Sequence, residues 1–264
     1  MIQELPTRRL SLNYRDEGAG DLTLLFMHGW NIDLGYWDAQ VEAFRNQYRC
    51  IAIDLPGFGN SRIERTEWTI EAMATDIVSF IDELGLHRVV IIGHSMSGEL
   101  GLETALQAGD RVIGLVGVDN FKFVDMEMPQ EVMDAFGNIV SRFHTDYESA
   151  VTDMANAFFF HEETTDEVQE RIVKAYREAD QSVAVPIFMG LLQYSAQVNA
   201  KLGQLPFPLH ILGNDTPPPF ESGLQAHCAK GYALHFVPGT GHYPMIEKPT
   251  EFNRELGKII STIA

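Results

Sequence analysis

Cysteine is scarce in this chain: two residues, Cys50 and Cys228, among 264. They lie in unrelated contexts, so they build neither a disulfide framework nor a paired-cysteine metal site. Cys50 opens the run Cys-Ile-Ala-Ile-Asp, where a thiol serves as a small buried hydrophobe. Positive charge is also thin. The 19 Lys and Arg face 37 Asp and Glu, a formal charge of −18 at pH 7. Phosphate backbones repel such a surface, which argues against a nucleic-acid partner and leaves a solvated exterior. No apolar run approaches the roughly 18 residues of a membrane span. The opening Met-Ile-Gln-Glu-Leu-Pro-Thr-Arg-Arg-Leu carries an early acid and a proline where a secretory leader has its apolar core. The expectation is a soluble, cytoplasmic protein with no membrane association. Repeats and low-complexity tracts are absent. Gly57-Phe58-Gly59 and Gly239-Thr240-Gly241 do not complete a dinucleotide fingerprint, and no phosphate-cradling Gly-Lys-Ser/Thr loop exists. His161-Glu162-Glu163 lacks the second histidine of a zinc helix, so neither metal nor organic cofactor is implied.

What is present is an ordinary globular composition, 45% hydrophobic and 21% charged. A chain of this length buries roughly three quarters of its unfolded surface and needs no covalent staple. From residue 20 to about residue 120, short apolar runs alternate with helix-period stretches. Leu22 to Met27, Arg49 to Ile53, Arg88 to Ile92 and Val112 to Val118 read as strands buried on both faces. Between them, Ile70, Met73, Ile77, Phe80, Ile81 and Leu84 recur at helical spacing and stop at Gly85. The alternation predicts an α/β fold with a mostly parallel sheet and helices on both faces. The rhythm breaks after Asp119. Residues 121–204 show only helix-period segments rich in Phe and Met, and strand-like runs resume at Phe207 to Leu212 and Tyr232 to Val237. A last helix follows, with Pro249 in its first turn and Phe252, Leu256, Ile259, Ile260 and Ile263 on one face. The expected organisation is a core of 1–120 and 205–264 carrying a helical insertion, 121–204.

Gly93-His94-Ser95-Met96-Ser97-Gly98 sits between a predicted strand and a helix-forming stretch. A serine on such a sharp turn has its hydroxyl pushed out above the sheet, at the positive end of the following helix. The small flanks, Gly93 and Ser97, suit the tight backbone. A small-residue turn that merely packs strand on helix is the plain alternative. With this motif the chain resembles the α/β-hydrolase superfamily. The likeness runs from about residue 20 to residue 262 and is weakest across the insertion. His28-Gly29-Trp30 resembles the family's oxyanion loop, and Asp54-Leu55-Pro56-Gly57-Phe58-Gly59-Asn60-Ser61 its loop after the next strand. Pro238-Gly239-Thr240-Gly241-His242-Tyr243-Pro244 is similar to its histidine loop. Ser97 stands where many relatives have glycine, which predicts a slightly tighter turn.

A neutral hydroxyl attacks poorly and needs a base with a pKa near the working pH, which points to histidine. Of nine histidines, His242 lies in a loop just past a predicted strand and is assigned as the base. His94 is expected to be turned away from the active face by the elbow, and His28 to order the oxyanion loop. His144 and His161 fall in the insertion and read as surface, though able to line a pocket; His87, His210, His227 and His235 have no motif around them. The base needs a carboxylate partner. Relatives usually place it three residues after a strand-ending glycine, but Gly213-Asn214-Asp215-Thr216 puts threonine there and aspartate one residue early. Asp215 is the first choice, reached by a contracted loop stiffened by the prolines 217–219; Asp119, at the end of the preceding strand, is the alternative. The resemblance implies an oxyanion hole from the backbone amides of Met96 and Trp30. The insertion resembles the family's helical cap, and its phenylalanines read mainly as the cap's own core. Trp30 is expected on the acyl side of the pocket, and Phe158, Phe159 and Phe160 cannot all face one way.

These features predict a cofactor-free serine hydrolase, monomer or homodimer, that acts on small, largely apolar esters or lactones through an acyl-enzyme. Carbon–carbon bond hydrolysis, perhydrolysis and lyase chemistry use the same triad on the same fold. The rival from another class is a ligand sensor or signalling protein of this fold with little turnover.

Overall fold

Each apolar run becomes a strand in the computed structural model, which describes residues 2–6, 11–61, 63 and 65–264, with nothing said of the side chains of 2–6 and 11. Of the first ten residues, on which the leader reading rests, Ile2–Pro6 form a strand and the other five lie outside the described residues. An eight-stranded sheet runs in the order β1-β2-β4-β3-β5-β6-β7-β8. Its strands are β1 (Ile2–Pro6), β2 (Ser11–Glu17), β3 (Thr23–Met27), β4 (Arg49–Ile53), β5 (Val89–His94), β6 (Val112–Val118), β7 (Leu209–Gly213) and β8 (Tyr232–Phe236). β1 and β2 pair antiparallel and β2 joins β4 antiparallel, whereas every other pairing is parallel. β3, β5 and β7 are buried at every position, which is why their sequences are continuous apolar runs with no alternation.

The helices of the core are α1 (Asp38–Phe44), α2 (Ile70–Glu83) and α3 (Ser97–Ala108). The crossover from β3 to β4 runs one way along the sheet and that from β4 to β5 the other. Right-handed crossovers in opposite directions put α1 and α2 on opposite faces. α2 packs against α3. The side chain of Thr69 caps α2 by accepting from the Ala72 amide at 3.1 Å. Its apolar stripe of Ile70, Met73, Ala74, Ile77, Phe80 and Ile81 is buried, and Gly85 ends it at φ 61°.

Between β6 and β7 lie five consecutive helices, α4 (Gln130–Ser141), α5 (Tyr147–Phe158), α6 (Asp166–Glu178), α7 (Gln181–Ser195) and α8 (Val198–Leu202). Two short helices follow, α9 (Glu221–His227) and α10 (Pro244–Glu247), and then α11 (Pro249–Ile263), which packs against α1 and buries Phe252, Leu256, Ile259 and Ile260. The architecture is therefore a mostly parallel sheet covered on both faces, with an inserted helical region. Among the described residues, no helix is long and apolar enough to cross a membrane. Both cysteines are free and buried.

Candidate active site

The strand ends bring the motifs together at the carboxyl edge of the sheet, where open α/β sheets place their ligands. β3 leads into His28-Gly29-Trp30, β5 into Ser95, β6 into Asp119, β7 into Asn214, and β8 into the loop that carries His242.

Ser95 has φ 52°, the left-handed region that a residue with a side chain occupies only under strain. Its amide donates to the Val118 carbonyl at 2.9 Å, and its carbonyl accepts from the Gly98 amide at 2.7 Å. Glycine is obligatory at 93, because a Cβ there would lie 2.0 Å from the Ser97 carbonyl oxygen. Ser97 does more than fit: its hydroxyl donates to the His28 carbonyl at 2.5 Å, a bond between the elbow and the His28–Trp30 loop that glycine cannot make.

Ser95 Oγ lies 2.8 Å from His242 Nε2, and His242 Nδ1 lies 2.6 Å from Asp119 Oδ2. Burial by itself would raise the Asp119 pKa. The hydrogen bond from His242, with the nearby charges of His242 and Lys122, more than offsets this and holds the carboxyl below the ordinary aspartate range. The sequence put Asp215 ahead of Asp119 as the partner of His242, and the geometry reverses that order. Asp215 is exposed, and both ring nitrogens of His242 are taken by Asp119 and Ser95. The residue that turns inward from the end of β7 is Asn214. Its Nδ2 donates to Asp119 Oδ1 and to the Gly241 carbonyl, each at 3.0 Å.

His94 is not turned away. Its ring sits 4.8 Å from that of His242, and its Nε2 donates to the His242 carbonyl at 2.7 Å. Burial, with the neighbouring His242, pushes its pKa down to about 3, so it is a neutral prop. His28 is also buried, and its pKa is lowered by desolvation. The Leu55 amide donates to its Nε2 at 2.9 Å, which leaves the proton on Nδ1 for the Gly29 carbonyl at 2.7 Å. It thus ties the loop after β3 to the loop after β4. His144 is exposed; His161 is partly buried and accepts from the Glu163 amide at 3.1 Å.

The inserted helices close over this edge. Phe159 lies nearly parallel to the His242 ring at 4.8 Å, and its carbonyl accepts from the His242 amide at 2.8 Å. Gly241 permits this approach, since a Cβ there would meet the Phe159 oxygen at 2.2 Å. The Glu247 carboxylate accepts from the amides of Gly241 and Tyr243, both at 2.9 Å, and from the Thr164 hydroxyl at 2.7 Å. Phe158, by contrast, is 40% exposed. Trp30 is buried among aromatic rings from the insertion, with Phe188 at 4.7 Å, Tyr176 at 5.4 Å and Phe143 at 5.5 Å, and its Nε1 donates to the Ala184 carbonyl at 2.8 Å. Among the described residues, the backbone amides of Trp30 and Met96 have no protein acceptor.

Several residues of this site carried no sequence signal. Asn120 Nδ2 donates to the Ser95 carbonyl at 2.6 Å and to Glu99 Oε2 at 2.7 Å. Loss of hydration pushes the Glu99 carboxyl up to about 7. Lys122 and Asn214 form a second such pair behind Asp119. Asn214 stands in the Gly213–Thr216 stretch only as a spacer before Asp215, and Asn120, Glu99 and Lys122 bond to partners far along the chain.

The profile of the family described as the alpha/beta hydrolase family matches residues 24–255. A curated relative, the pimeloyl-[acyl-carrier protein] methyl ester esterase of Nitrosomonas europaea, is 26% identical over 256 residues, covering 92% of this chain and 96% of that protein. The dihydrolipoyllysine-residue acetyltransferase component of the acetoin cleaving system of Cupriavidus necator is 33% identical over 116 residues; the match covers 44% of this chain and only 31% of that protein. Among solved structures, a thermophilic esterase from Thermogutta terrifontis superposes with a TM-score of 0.83 at 24% identity, covering 100% of this chain and 99% of the other.

Proposed function

The chain belongs to the alpha/beta hydrolase family, and from that premise we propose that it is a serine hydrolase cleaving small, largely apolar carboxylic esters or lactones through an acyl-enzyme. The observation that carries this reading is the continuous hydrogen-bonded line from Ser95 through His242 to Asp119, with spacings of 2.8 and 2.6 Å. His242 Nε2 takes the Ser95 proton as Oγ attacks the acyl carbon. Asp119, the acid in this reading in place of Asp215, fixes the tautomer with the proton on Nδ1 and stabilises the imidazolium. The amides of Met96 and Trp30, which have no acceptor among the described residues, receive the tetrahedral oxyanion in this reading. Each such donor stabilises a transition state by about 3 kcal/mol. The intermediate collapses, the alcohol leaves with the proton held by His242, and water then releases the acid by the same steps in reverse order.

The proposed substrate class rests on the aromatic surroundings of the triad: Trp30 packs against Phe143 and Phe188, Phe159 lies over His242, and residues 121–204, which supply the three phenylalanines, are read as a cap over the nucleophile. The methyl-ester esterase named for the Nitrosomonas relative, which aligns over nearly its full length, supports an ester as substrate.

The reading is tested by steady-state turnover of a panel of straight-chain acyl esters and lactones by the wild type and by Ser95→Ala. Multiple turnovers with a chain-length preference, lost in the variant, are expected. A single stoichiometric burst followed by stalling would refute it in favour of a ligand sensor.

A further inference from the structure

Behind the Asp119–His242 pair, on the side away from Ser95, sits a lysine with almost no access to water. Lys122 is 5% exposed. Its Nζ donates to Asn214 Oδ1 at 2.6 Å and lies 3.7 Å from Asp119 Oδ1. Asn214 is 7% exposed, and both ends of its amide are occupied. Nδ2 donates to Asp119 Oδ1 and to the Gly241 carbonyl, while Oδ1 accepts from Lys122 and, at 3.2 Å, from the Thr216 amide. Only one orientation of the amide satisfies these partners, so Asn214 cannot flip. A buried ammonium is expensive unless paired, and a hydrophobic residue of similar length would fill this space at lower cost. A lysine here therefore has a task other than packing.

We infer that Lys122 and Asn214 are positioning residues for the triad: Asn214 clamps the free oxygen of Asp119 and the backbone just before His242, and Lys122 locks Asn214 while placing a fixed positive charge behind the acid. The inference rests on the serine-hydrolase reading for its catalytic meaning. The loops after β6, β7 and β8 are joined at one amide, which fixes the register of the acid and the base. The charge has a separate consequence. Together with the hydrogen bond and charge of His242, it helps hold the buried Asp119 carboxyl ionised against the cost of burial, and its removal leaves the carboxylate charge uncompensated on that side. The other charged or titratable groups around His242 are His94 on β5 and Tyr243 and Glu247 on its own loop and α10, with Tyr176 on α6 bonded to Tyr243; burial lowers the Lys122 pKa, and Asp119 and Asp215 oppose that shift.

The test compares the wild type, Lys122→Met, Lys122→Arg and Asn214→Ala, each first shown to be folded by its circular dichroism and thermal transition. The His242 imidazole is titrated by NMR, its resonance assigned by its loss in His242→Gln, and the acidic limb of kcat/KM is measured on the best ester. A unit charge a few ångströms behind the acid moves such a titration by about one pH unit. Lys122→Met is expected to raise the His242 midpoint and the acidic limb by about that amount, while Lys122→Arg leaves both near the wild type. Asn214→Ala is expected to lower kcat by about tenfold or more with KM little changed. An unmoved His242 midpoint in folded Lys122→Met, or a loss confined to KM in Asn214→Ala, would overturn the inference. Because the NMR titration needs no substrate, failure of the hydrolase reading would appear separately, as a wild type that turns over no ester.

Discussion

Replacing Asp119 by asparagine is the most informative single change, because the surroundings dictate how the new amide must sit. The Oδ1 position faces two donors, Asn214 Nδ2 at 3.0 Å and Lys122 Nζ at 3.7 Å. An asparagine must turn its carbonyl toward those donors and its NH2 toward His242. A donor at Nδ1 forces the imidazole proton onto Nε2, the atom 2.8 Å from Ser95 Oγ, and a protonated nitrogen cannot accept the serine proton. The equivalent tautomer error in serine hydrolases lowers kcat by about 10⁴, or about 5.4 kcal/mol of transition-state stabilisation at 1.36 kcal/mol per decade. Asp215→Asn removes only an exposed charge and should leave kcat within about twofold of the wild type. Both variants should unfold cooperatively, as followed by circular dichroism, and initial rates on a short-chain ester give the comparison. If Asp119→Asn kept a tenth of the wild-type rate, or if Asp215→Asn lost as much as Asp119→Asn, the assignment of the acid would be wrong.

Gly241→Ala should lower kcat/KM by about 10²-fold by driving the histidine loop off Phe159, whereas Gly257→Ala, whose Cβ would meet Phe44 at an ordinary 3.8 Å, should be neutral to stabilising; equal effects in an esterase assay would contradict the close approach at 241. Phe188→Ala opens space 4.7 Å from Trp30 and should shift the ester preference to longer acyl chains by about tenfold in relative kcat/KM; an unchanged chain-length profile would remove Phe188 from the pocket. His210 has its pKa pushed down to about 4 by burial and by the neighbouring His235. The unfolded chain therefore takes up this proton first as pH falls through about 6.5, and stability drains away between there and about pH 4, by about 3 kcal/mol at most. His210→Phe should flatten the dependence of Tm on pH across that window, and an identical slope would refute the argument.

The sheet's interior was legible because burial on both faces erases alternation. β3, β4, β5 and β6 stand out as apolar runs, and Thr69 and Gly85 punctuate α2 at both ends. β2 escaped because it is near the edge of the sheet and mixed in character: Leu12 and Tyr14 are buried, but so is Asn13, whose side chain donates to Asp54 Oδ2 at 2.7 Å. At the candidate site, the order of motifs along the chain pointed to Ser95 and His242, and the structure sets them 2.8 Å apart. The acid was harder, since a spacing rule counts residues and cannot see direction. Asp215 stood near the expected place after β7 but points to solvent, while Asp119, at φ 46°, turns back beneath His242. His94 departs from its expected orientation for a similar reason. The elbow turns Ser95 out of the sheet, and the side chain before it is left to pack under the histidine loop and not away from it.

The central claim is an activated serine at 95, and intact-mass analysis after treatment with a fluorophosphonate tests it most directly. The wild type should gain one adduct, with peptide mapping placing it on Ser95, while Ser95→Ala and His242→Gln, both folded, gain none on the same timescale. No adduct on the folded wild type, or an adduct that persists in Ser95→Ala, would contradict the account.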